Sequence, residues 1–258
     1  MHRHLAPKLA SVISFAIGAT SALAADLPAP AYTKAPPMVA EVYNWNGFYL
    51  GVQGGGGWGT SREFFGNAPN SPTQLFTQNY NISGGIAGGV AGYNWQANSW
   101  VFGVEADYNW SNISGRSGVI NVGPPNLGDT YFTNVRSYGD VKGRVGWAAD
   151  SNRLLVYVDG GVAFAQLNHH YDAALNGGAA NTFIANASKT GWTAGIGLEY
   201  LLTRNRTGRV EFDWVGGLGT STIFYGGAPT NFSNWKDSFG VVKAGLNYKF
   251  GGPIVAKN

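Results

Sequence analysis

Polar and apolar residues alternate one by one in residues 241–250, VVKAGLNYKF, near the end of the chain. In an extended strand, successive side chains point to opposite faces, so the two kinds of residue separate. One face would hold five apolar side chains and end in two aromatics: Val242, Ala244, Leu246, Tyr248 and Phe250. The opposite face would hold Lys243, Asn247 and Lys249. A soluble sheet would bury the apolar face in a core, whereas a transmembrane barrel would turn it towards lipid.

The same alternation recurs in the earlier part of the chain and predicts about eight strands of about ten residues each. About ten residues is the length that a tilted strand needs to cross a bilayer. The pattern therefore predicts an all-β fold. The predicted strands lie within residues 47–56, 84–95, 100–110, 135–148, 154–164, 192–200, 209–214 and 241–250.

The predicted connections alternate between short and long. Short turns lie at residues 96–99, 150–152 and 203–208. The other connections are polar, rich in Asn, Gly and Pro, and span residues 58–83, 111–134, 166–190 and 219–234. This asymmetry is typical of an outer-membrane barrel with both termini in the periplasm, and a soluble sandwich does not require it. The chain is therefore predicted to form an eight-stranded antiparallel up-and-down transmembrane β-barrel with four surface loops.

Charged residues of the predicted strands fall on the face opposite the apolar set. An eight-stranded barrel is barely wide enough for side chains, so inward charges are expected to pair and to narrow or plug the lumen. The alternative is that these residues face water on a soluble sheet. The predicted lumen charges are Glu105, Asp107, Lys142, Arg144, Asp159, Glu199, Arg209, Glu211, Asp213, Lys243 and Lys249.

Aromatic residues concentrate at the ends of the predicted strands, as expected of the girdles at the two membrane interfaces. The predicted girdle residues are Trp45, Tyr93, Trp95, Trp100, Trp110, Trp147, Trp192, Tyr200, Trp214, Tyr248 and Phe250.

The composition agrees with a membrane barrel better than with a soluble globule. Charged residues make up 12% of the chain, and aromatic residues make up 14%, whereas charged residues are near 25% in soluble domains. Cysteine is absent from the sequence, which excludes disulfides and Cys-ligated metals. Arg3 and Lys8 lie in the N-terminal stretch that is predicted below to be a cleaved signal. Without these two residues the formal charge of the chain falls from +3 to +1, so nucleic acid is not an expected partner.

The first residues have the pattern of a secretory signal. A basic start with Arg3 and Lys8 precedes an uncharged, mostly apolar run, and Ala22 and Ala24 place small residues for cleavage before Ala25. An N-terminal membrane anchor is the alternative, but the run is short for a spanning helix. The predicted organisation is a signal peptide at 1–24, a Pro/Ala-rich periplasmic linker at 25–45, the barrel at 46–250 and a periplasmic tail at 251–258.

Six segments of the chain resemble one protein family: ALAADLP, NWNGFYLG, AGYNWQ, VKGRVGWA, GWTAGIGLEY and KAGLNYKF. They are similar to the outer-membrane immunogenic proteins of alphaproteobacteria, which are small opacity-like outer-membrane β-barrels of the porin superfamily. The resemblance covers residues 45–250 and is weakest in the predicted loops. It implies surface exposure and a role in envelope maintenance, and porin, adhesin and haem-binding activities have been attached to members. The expected partners are outer-membrane lipid, lipopolysaccharide and the barrel-assembly machinery.

The last strand also resembles the signal that the barrel-assembly machinery reads. A polar residue, a glycine and two aromatics on one face occupy the positions Lys243, Gly245, Tyr248 and Phe250. The chain departs from the commonest pattern because GGPIVAKN follows the final aromatic.

Candidate chemistry is sparse. His169, His170 and Asp172 lie together in the third predicted loop, but neighbouring residues of an extended segment point opposite ways. An ordinary polar loop is favoured over haem or metal binding by this histidine pair. The sequence lacks a recognisable nucleophile elbow beside a histidine and an acid, so no enzymatic activity and no cofactor are expected.

The sequence thus predicts a structural surface protein with a narrow or plugged lumen. The alternatives are a small porin for ions or small solutes, and a protein whose loops bind haem or mediate adhesion.

Overall fold

A computed structural model describes residues 43–67, 73–121, 127–173, 181–225 and 231–250. Within them the secondary structure is β throughout, and no helix there is both long and apolar enough to cross a membrane. The predicted signal peptide, most of the linker and the tail lie outside the described residues. The strands are β1 (Gly47–Asn67), β2 (Thr73–Ala97), β3 (Trp100–Arg116), β4 (Ile120–Asn121), β5 (Leu127–Ala149), β6 (Leu154–Ala173), β7 (Asn181–Leu201), β8 (Arg206–Gly216), β9 (Ser221–Tyr225) and β10 (Asn231–Lys249).

The strands close into a ring. Eight of them follow the order β1-β2-β3-β5-β6-β7-β8-β10, and β10 pairs back with β1 from Tyr49↔Lys249 to Asn67↔Asn231. Every pairing is antiparallel, β4 is a short addition to β5, and β9 continues the line of β8 along β10. The predicted all-β antiparallel barrel is therefore confirmed. Closure pairs the first strand of the ring with the last, so most backbone groups of the ring pair with one another.

The short turns lie where the sequence places them. β2 and β3 are separated by two residues, and Asn98 in that turn has a φ of 55°. The turn between β5 and β6 holds Asp150, Ser151 and Asn152, with φ values of 47°, 53° and 66°. Asn and Asp tolerate this left-handed conformation better than most residues, which suits them to tight reversals.

The prediction of four long loops is wrong, because the strands continue through most of those segments. β1 and β2 extend through much of residues 58–83, and β6 and β7 through much of residues 166–190. The eight strands of the ring span between 11 residues in β8 and 25 residues in β2, compared with the ten that were expected. The barrel is thus taller than strands of ten residues would make it.

The alternation of polar and apolar residues reverses polarity along the long strands, of which β6 is an example. In β6 the outward residues change from Val162 and Phe164 to Gln166 and Asn168, while the inward residues become Leu167 and other apolar side chains. The reversal has a simple cause: the outside of the barrel changes from an apolar to an aqueous medium, and the interior needs a core where no lipid surrounds it. A reversed alternation contains as many polar residues as a loop, which explains the wrong prediction.

Aromatic side chains border the apolar outer band at both ends. Ten of the eleven predicted girdle residues are exposed on the outside of the barrel. Trp45 is the exception, because its side chain is 0% exposed. It lies inside the short-turn end of the barrel, where it meets other apolar side chains. In β1 the outer band extends from Phe48 to Trp58.

Candidate functional site

The barrel interior consists of three layers that follow one another along the barrel axis. The lowest layer, at the short-turn end, is apolar and contains Trp45, Val101, Ala148, Leu155, Tyr157 and Leu201. The backbone N–H of Trp45 donates to Oε1 of Gln96 at 2.8 Å. The ammonium group of Lys249 lies 5.5 Å from the Trp45 ring and donates to the Asn44 carbonyl. Asn44 and Trp45, just before β1, are thereby held at the end of the barrel.

The middle layer is a network of buried charges. All eleven predicted lumen charges lie inside the barrel and are buried. Two lysines occupy its centre. Nζ of Lys243 lies 2.6 Å from Oδ2 of Asp107, 2.9 Å from Oε1 of Glu211 and 2.5 Å from Oδ2 of Asp213. Nζ of Lys142 shares two of these acids, at 2.6 Å from Glu211 and 3.1 Å from Asp213.

Two arginines extend the network towards the lowest layer. Arg209 binds Glu105 with both terminal nitrogens, at 2.7 and 3.0 Å, and reaches Oε2 of Glu211 at 2.8 Å. Nη1 of Arg144 donates to Oε2 of Glu199 at 3.1 Å, and its Nε donates to Oδ1 of Asn94 at 2.9 Å. The planar guanidinium group suits such forked contacts with carboxylates.

Tyrosine side chains complete the network. Tyr49 donates its hydroxyl to Glu105 at 2.5 Å, and Tyr157 donates to Glu211 at 2.5 Å. The Arg144 guanidinium lies between the two rings, 5.0 Å from that of Tyr49 and 4.9 Å from that of Tyr157. Sequence reasoning did not name either tyrosine as a site residue, and it also missed Gln53, Asn94, Asn109, Asp140 and Asn247. Each lies on the inward face of its strand, so the alternation itself was the signal for them.

Carboxylates in this layer are close enough to suggest a cation site. Oxygens of Asp107, Asp140 and Asp213 lie within 4.8 Å of one another. The ammonium groups of Lys142 and Lys243 lie among these same oxygens, at 2.5 to 4.0 Å. The two lysines therefore supply the positive charge that a metal ion would otherwise bring.

The buried charges hold each other in place more than they add stability. Burying a charge is costly, and its partners repay that cost only when geometry and hydrogen bonds are good. Removing one partner from such a network leaves an uncompensated charge and typically costs about 3–5 kcal/mol. The network therefore favours the strand register in which acids and bases meet.

The upper layer is an apolar and aromatic core beyond the outer girdle. Its rings pack closely: the centroid of Tyr131 lies 4.8 Å from that of Tyr171 and 5.9 Å from that of Trp235, and Tyr138 lies 5.6 Å from Phe239. Aliphatic side chains fill the remaining space, among them Ile82, Ile113, Val135, Leu167, Val215 and Leu218. This layer is the soluble-type core of the part of the barrel that rises above the outer band.

His169 lies inside this upper core with 0% exposure. Its Nδ1 is 3.0 Å from Oγ1 of Thr133, its Nε2 is 3.3 Å from Oδ2 of Asp237, and its ring stacks on Trp235 at 5.1 Å. Thr133, His169 and Asp237 thus place a hydroxyl, an imidazole and a carboxylate in a row. All three are buried, so a substrate has no access to the hydroxyl.

The predicted placement of the histidine pair in a loop is wrong, because both residues belong to β6. His169 points into the barrel, whereas His170 is half-buried on the outside, 6.5 Å from the Phe132 ring. Asp172 also lies on the outside and accepts a hydrogen bond from Thr182 at 2.7 Å. The two histidines lie on opposite sides of the strand, so together they do not form a chelate or a haem site.

Comparison with known proteins gives consistent matches. Residues 14–250 match the sequence family described as "Outer membrane protein beta-barrel domain". The chain is 33% identical over 240 residues to the 31 kDa outer-membrane immunogenic protein of Brucella melitensis, which covers 91% of this chain and 96% of that protein.

Solved structures agree on the fold. Outer membrane protein OprG from Pseudomonas aeruginosa is similar with a TM-score of 0.51 and 12% identity, over 81% of this chain and 99% of that chain. The outer membrane protease OmpT from Escherichia coli is similar with a TM-score of 0.50 and 12% identity, over 82% and 99%. Identities this low show a shared fold and nothing of a shared activity.

Proposed function

Because the chain belongs to the family of outer membrane protein beta-barrel domains, we propose that it is a structural surface protein with a closed lumen and no enzymatic activity. The resemblance to outer-membrane immunogenic proteins that its sequence motifs indicate is confirmed by the Brucella relative. The protein is therefore an outer-membrane β-barrel. Its specific role in the envelope is the part that we propose.

The three-layered interior is the observation that supports a closed lumen. A solute that entered from either end would meet an apolar layer first and then the charged layer. Charged side chains such as Lys243, Glu211 and Asp213 are buried against one another, so an ion that displaced them would have to break several short ion pairs at once. Such a network is expensive to open in a low-dielectric surrounding.

The proposed orientation places the short turns and both termini in the periplasm and the tall end of the barrel outside the cell. In this orientation the inner face of the membrane meets Tyr248 and Phe250, which are exposed on the outside of β10 and whose rings lie 5.0 Å apart. Phe250 also packs against Phe48 of the first strand at 5.6 Å. We propose that Lys243, Gly245, Tyr248 and Phe250 form the signal for the barrel-assembly machinery.

Single-channel recording tests the closed lumen. The protein, refolded from detergent into a planar bilayer, is expected to show no steady open level, and the variant Trp45→Ala is expected to remain closed because two layers are left intact. Slower migration of heated than unheated protein in detergent gels establishes that each sample is a folded barrel. A steady open level of appreciable size in the parent protein would overturn the proposal and favour a small porin.

A further inference from the structure

Two cations face each other on the outside of the barrel just above the outer girdle. Arg62 of β1 is the direct cross-strand partner of Lys236 of β10, and both side chains are exposed. The Arg62 guanidinium lies 5.5 Å and the Lys236 ammonium 5.8 Å from the centre of the same ring, that of Phe64. Like charges directly opposite each other destabilise a sheet. An anion between them would turn this repulsion into attraction.

Carboxylates of the described residues do not neutralise this pair. Arg62 donates through Nε to Oδ1 of Asn79 at 3.1 Å, which fixes its position without cancelling its charge. Asp237 follows Lys236 in sequence, but its side chain is buried inside the barrel beside His169. The repulsion is thus left uncompensated on an exposed surface.

A groove of about 650 Å³ opens beside the two cations. It exists because β10 has no partner on one side between Trp235, which pairs with β9, and Phe239, which pairs with β8. Gly217 and Gly219, with φ values of 67° and 70°, allow the chain to leave the sheet there. The groove is lined by Thr60, Arg62, Asn79, Lys236, Ser238, residues 217–220 and also Asp237, whose residue as a whole is only 6% exposed.

A third cation lies at the rim of this groove. Nζ of Lys189, from β7, donates to the carbonyl oxygen of Thr220 at 2.5 Å. Thr220 is one of the groove's lining residues. Cations from three strands are therefore present around one opening.

A separate apolar groove of about 460 Å³ lies lower on the barrel, at the height of the outer band, and is lined by residues of β1, β2 and β10. The cationic pair Arg62↔Lys236 lies higher on β1 and β10 than the small residues that line this groove. The outward pairs between β1 and β10 at the level of the groove are Gly56↔Val242 and Gly54↔Ala244. A Cβ built on Gly54 or Gly56 would meet its nearest neighbour, a backbone oxygen, at 3.5 Å. The small residues thus leave a furrow on the lipid-facing surface that nothing in the fold requires.

We propose that this outward face of β1 and β10 binds one phosphate-bearing lipid of the outer leaflet. The phosphate lies between Arg62 and Lys236, and one acyl chain follows the furrow at Gly54 and Gly56. Arginine is suited to phosphate because its fork donates two parallel hydrogen bonds, and lysine adds a point charge. An apolar furrow that lies lower on the same strand, β1, favours an amphiphile over free phosphate. The inference rests on the orientation proposed above, which puts this end of the barrel in the outer leaflet.

Native mass spectrometry of the full chain in detergent micelles tests the site. With bisphosphorylated lipid A as the probe, the parent protein is expected to retain one molecule, and lipid A without phosphates is expected to bind much more weakly. The double variant Arg62→Gln with Lys236→Gln should lose about 30-fold in affinity, since each cation near an anionic lipid surface contributes a factor of about five to the affinity. Gly56→Leu should also weaken retention, because its side chain fills the furrow without changing any charge.

Arg116→Gln is the matched control. Arg116 is likewise exposed and lies 5.4 Å from an aromatic ring, that of Phe132, but its cross-strand partner is that ring and not a second cation. Its replacement is expected to leave retention unchanged. An equal loss in this control would overturn the site in favour of general electrostatic attraction.

Two further results would overturn the proposal. Equal retention of the phosphorylated and unphosphorylated lipids would remove the phosphate from the recognition. Displacement of the lipid by millimolar inorganic phosphate, together with normal retention by Gly56→Leu, would indicate a free-phosphate site instead. Conductance is read separately in planar bilayers, so a failure of the lipid site and a failure of the closed lumen can be told apart.

Discussion

Leu246 and Asn247 are neighbours in the chain that meet opposite surroundings. The Leu246 side chain is 59% exposed on the outer band, while Asn247 is buried and donates to Oε1 of Glu199 at 2.8 Å. At the residue scale, a side chain of a strand thus faces outwards or inwards according to whether its position is even or odd along that strand. A substitution at an outward position such as Leu246 tests the membrane-facing assignment directly.

Leu246→Arg is expected to impair insertion and to lower the free energy of unfolding by about 2–4 kcal/mol, the cost of a cation on the lipid face near the bilayer midplane. Urea titration of refolding into lipid vesicles measures this. Gln166→Arg is the control, because Gln166 is exposed on the outside of β6 above the outer band, where an arginine meets water. Equal losses in the two variants would contradict the membrane-facing assignment of Leu246.

Glu63 is a buried carboxyl group on the inward face of β1, five residues beyond Trp58 and hence outside the membrane-spanning part. Burial raises the pKa of Glu63 from an ordinary value of 4.5 to about 8, and the neighbouring Ser233 offsets only part of this rise. The folded protein therefore binds more protons than the unfolded chain between these two pH values. Stability is lost as the pH rises through this window.

Replacing Glu63 with glutamine should remove this loss. The variant Glu63→Gln and the parent protein should respond alike below pH 4, and the variant should gain on the parent as the pH rises, by on the order of 4 kcal/mol at pH 9. Urea unfolding midpoints at several pH values provide the measurement. A difference between parent and Glu63→Gln that stays constant with pH would refute the prediction.

At the scale of the element, β1 contains the run Gly54, Gly55, Gly56 and Gly57, whose members have different roles. A Cβ on Gly55 would lie 1.9 Å from the carbonyl oxygen of Val242, so the close approach of β1 and β10 requires a glycine there. A Cβ on the neighbouring Gly54 would make only an ordinary contact, at 3.5 Å, with the carbonyl oxygen of Ile86. The pairing of β1 with β10 that closes the barrel, here called the seam, therefore depends on Gly55 more than on Gly54.

Gly55→Ala is expected to destabilise the barrel by about 1–3 kcal/mol, the usual cost of inserting a methyl group where no space exists. Gly54→Ala should change the stability by less than about 0.5 kcal/mol, as surface substitutions without a steric conflict usually do. Both are compared by urea unfolding from vesicles and by the gel shift on heating. If the two variants were equally stable, the backbones of β1 and β10 would have to be farther apart at Gly55 than the structure shows.

At the scale of the whole molecule, the strands of the barrel continue above its membrane band. Residues 165–171 of β6 lie above Phe164, yet most of them pair with β5 on one side and β7 on the other. Within this stretch, Leu167 and Tyr171 are buried and belong to the upper core. An ordered aqueous half of this kind differs from a barrel with mobile surface loops.

Hydrogen exchange separates these two possibilities. The amides of residues 165–171 are expected to exchange slowly, as those in the outer band do, because they are hydrogen-bonded over a packed core. The turn at Asp150, Ser151 and Asn152 should exchange quickly and serves as the internal reference. Mass spectrometry of the refolded protein in micelles measures both. Exchange of residues 165–171 as fast as that of the turn would mean that the upper half is open.

The sequence alone determined the class of fold and the facing of nearly every strand. Alternation is a local property with a period of two, so Leu246 and Lys243 can be assigned to opposite faces without any knowledge of their neighbours. The same alternation placed Glu105, Arg144, Glu211 and the other predicted charges inside. It could not reveal strand length, because its polarity reverses where the barrel leaves the membrane.

The tertiary structure alone decided which residues meet. Ring closure brings β1 against β10, and the register of that seam places Arg62 opposite Lys236 and Gly55 against Val242, residues that lie far apart in the chain. It also buries Trp45 and His169, which the sequence alone had predicted as a girdle residue and as part of a loop. Partners across a closed ring depend on register and closure, and neither is encoded in the period of a single strand.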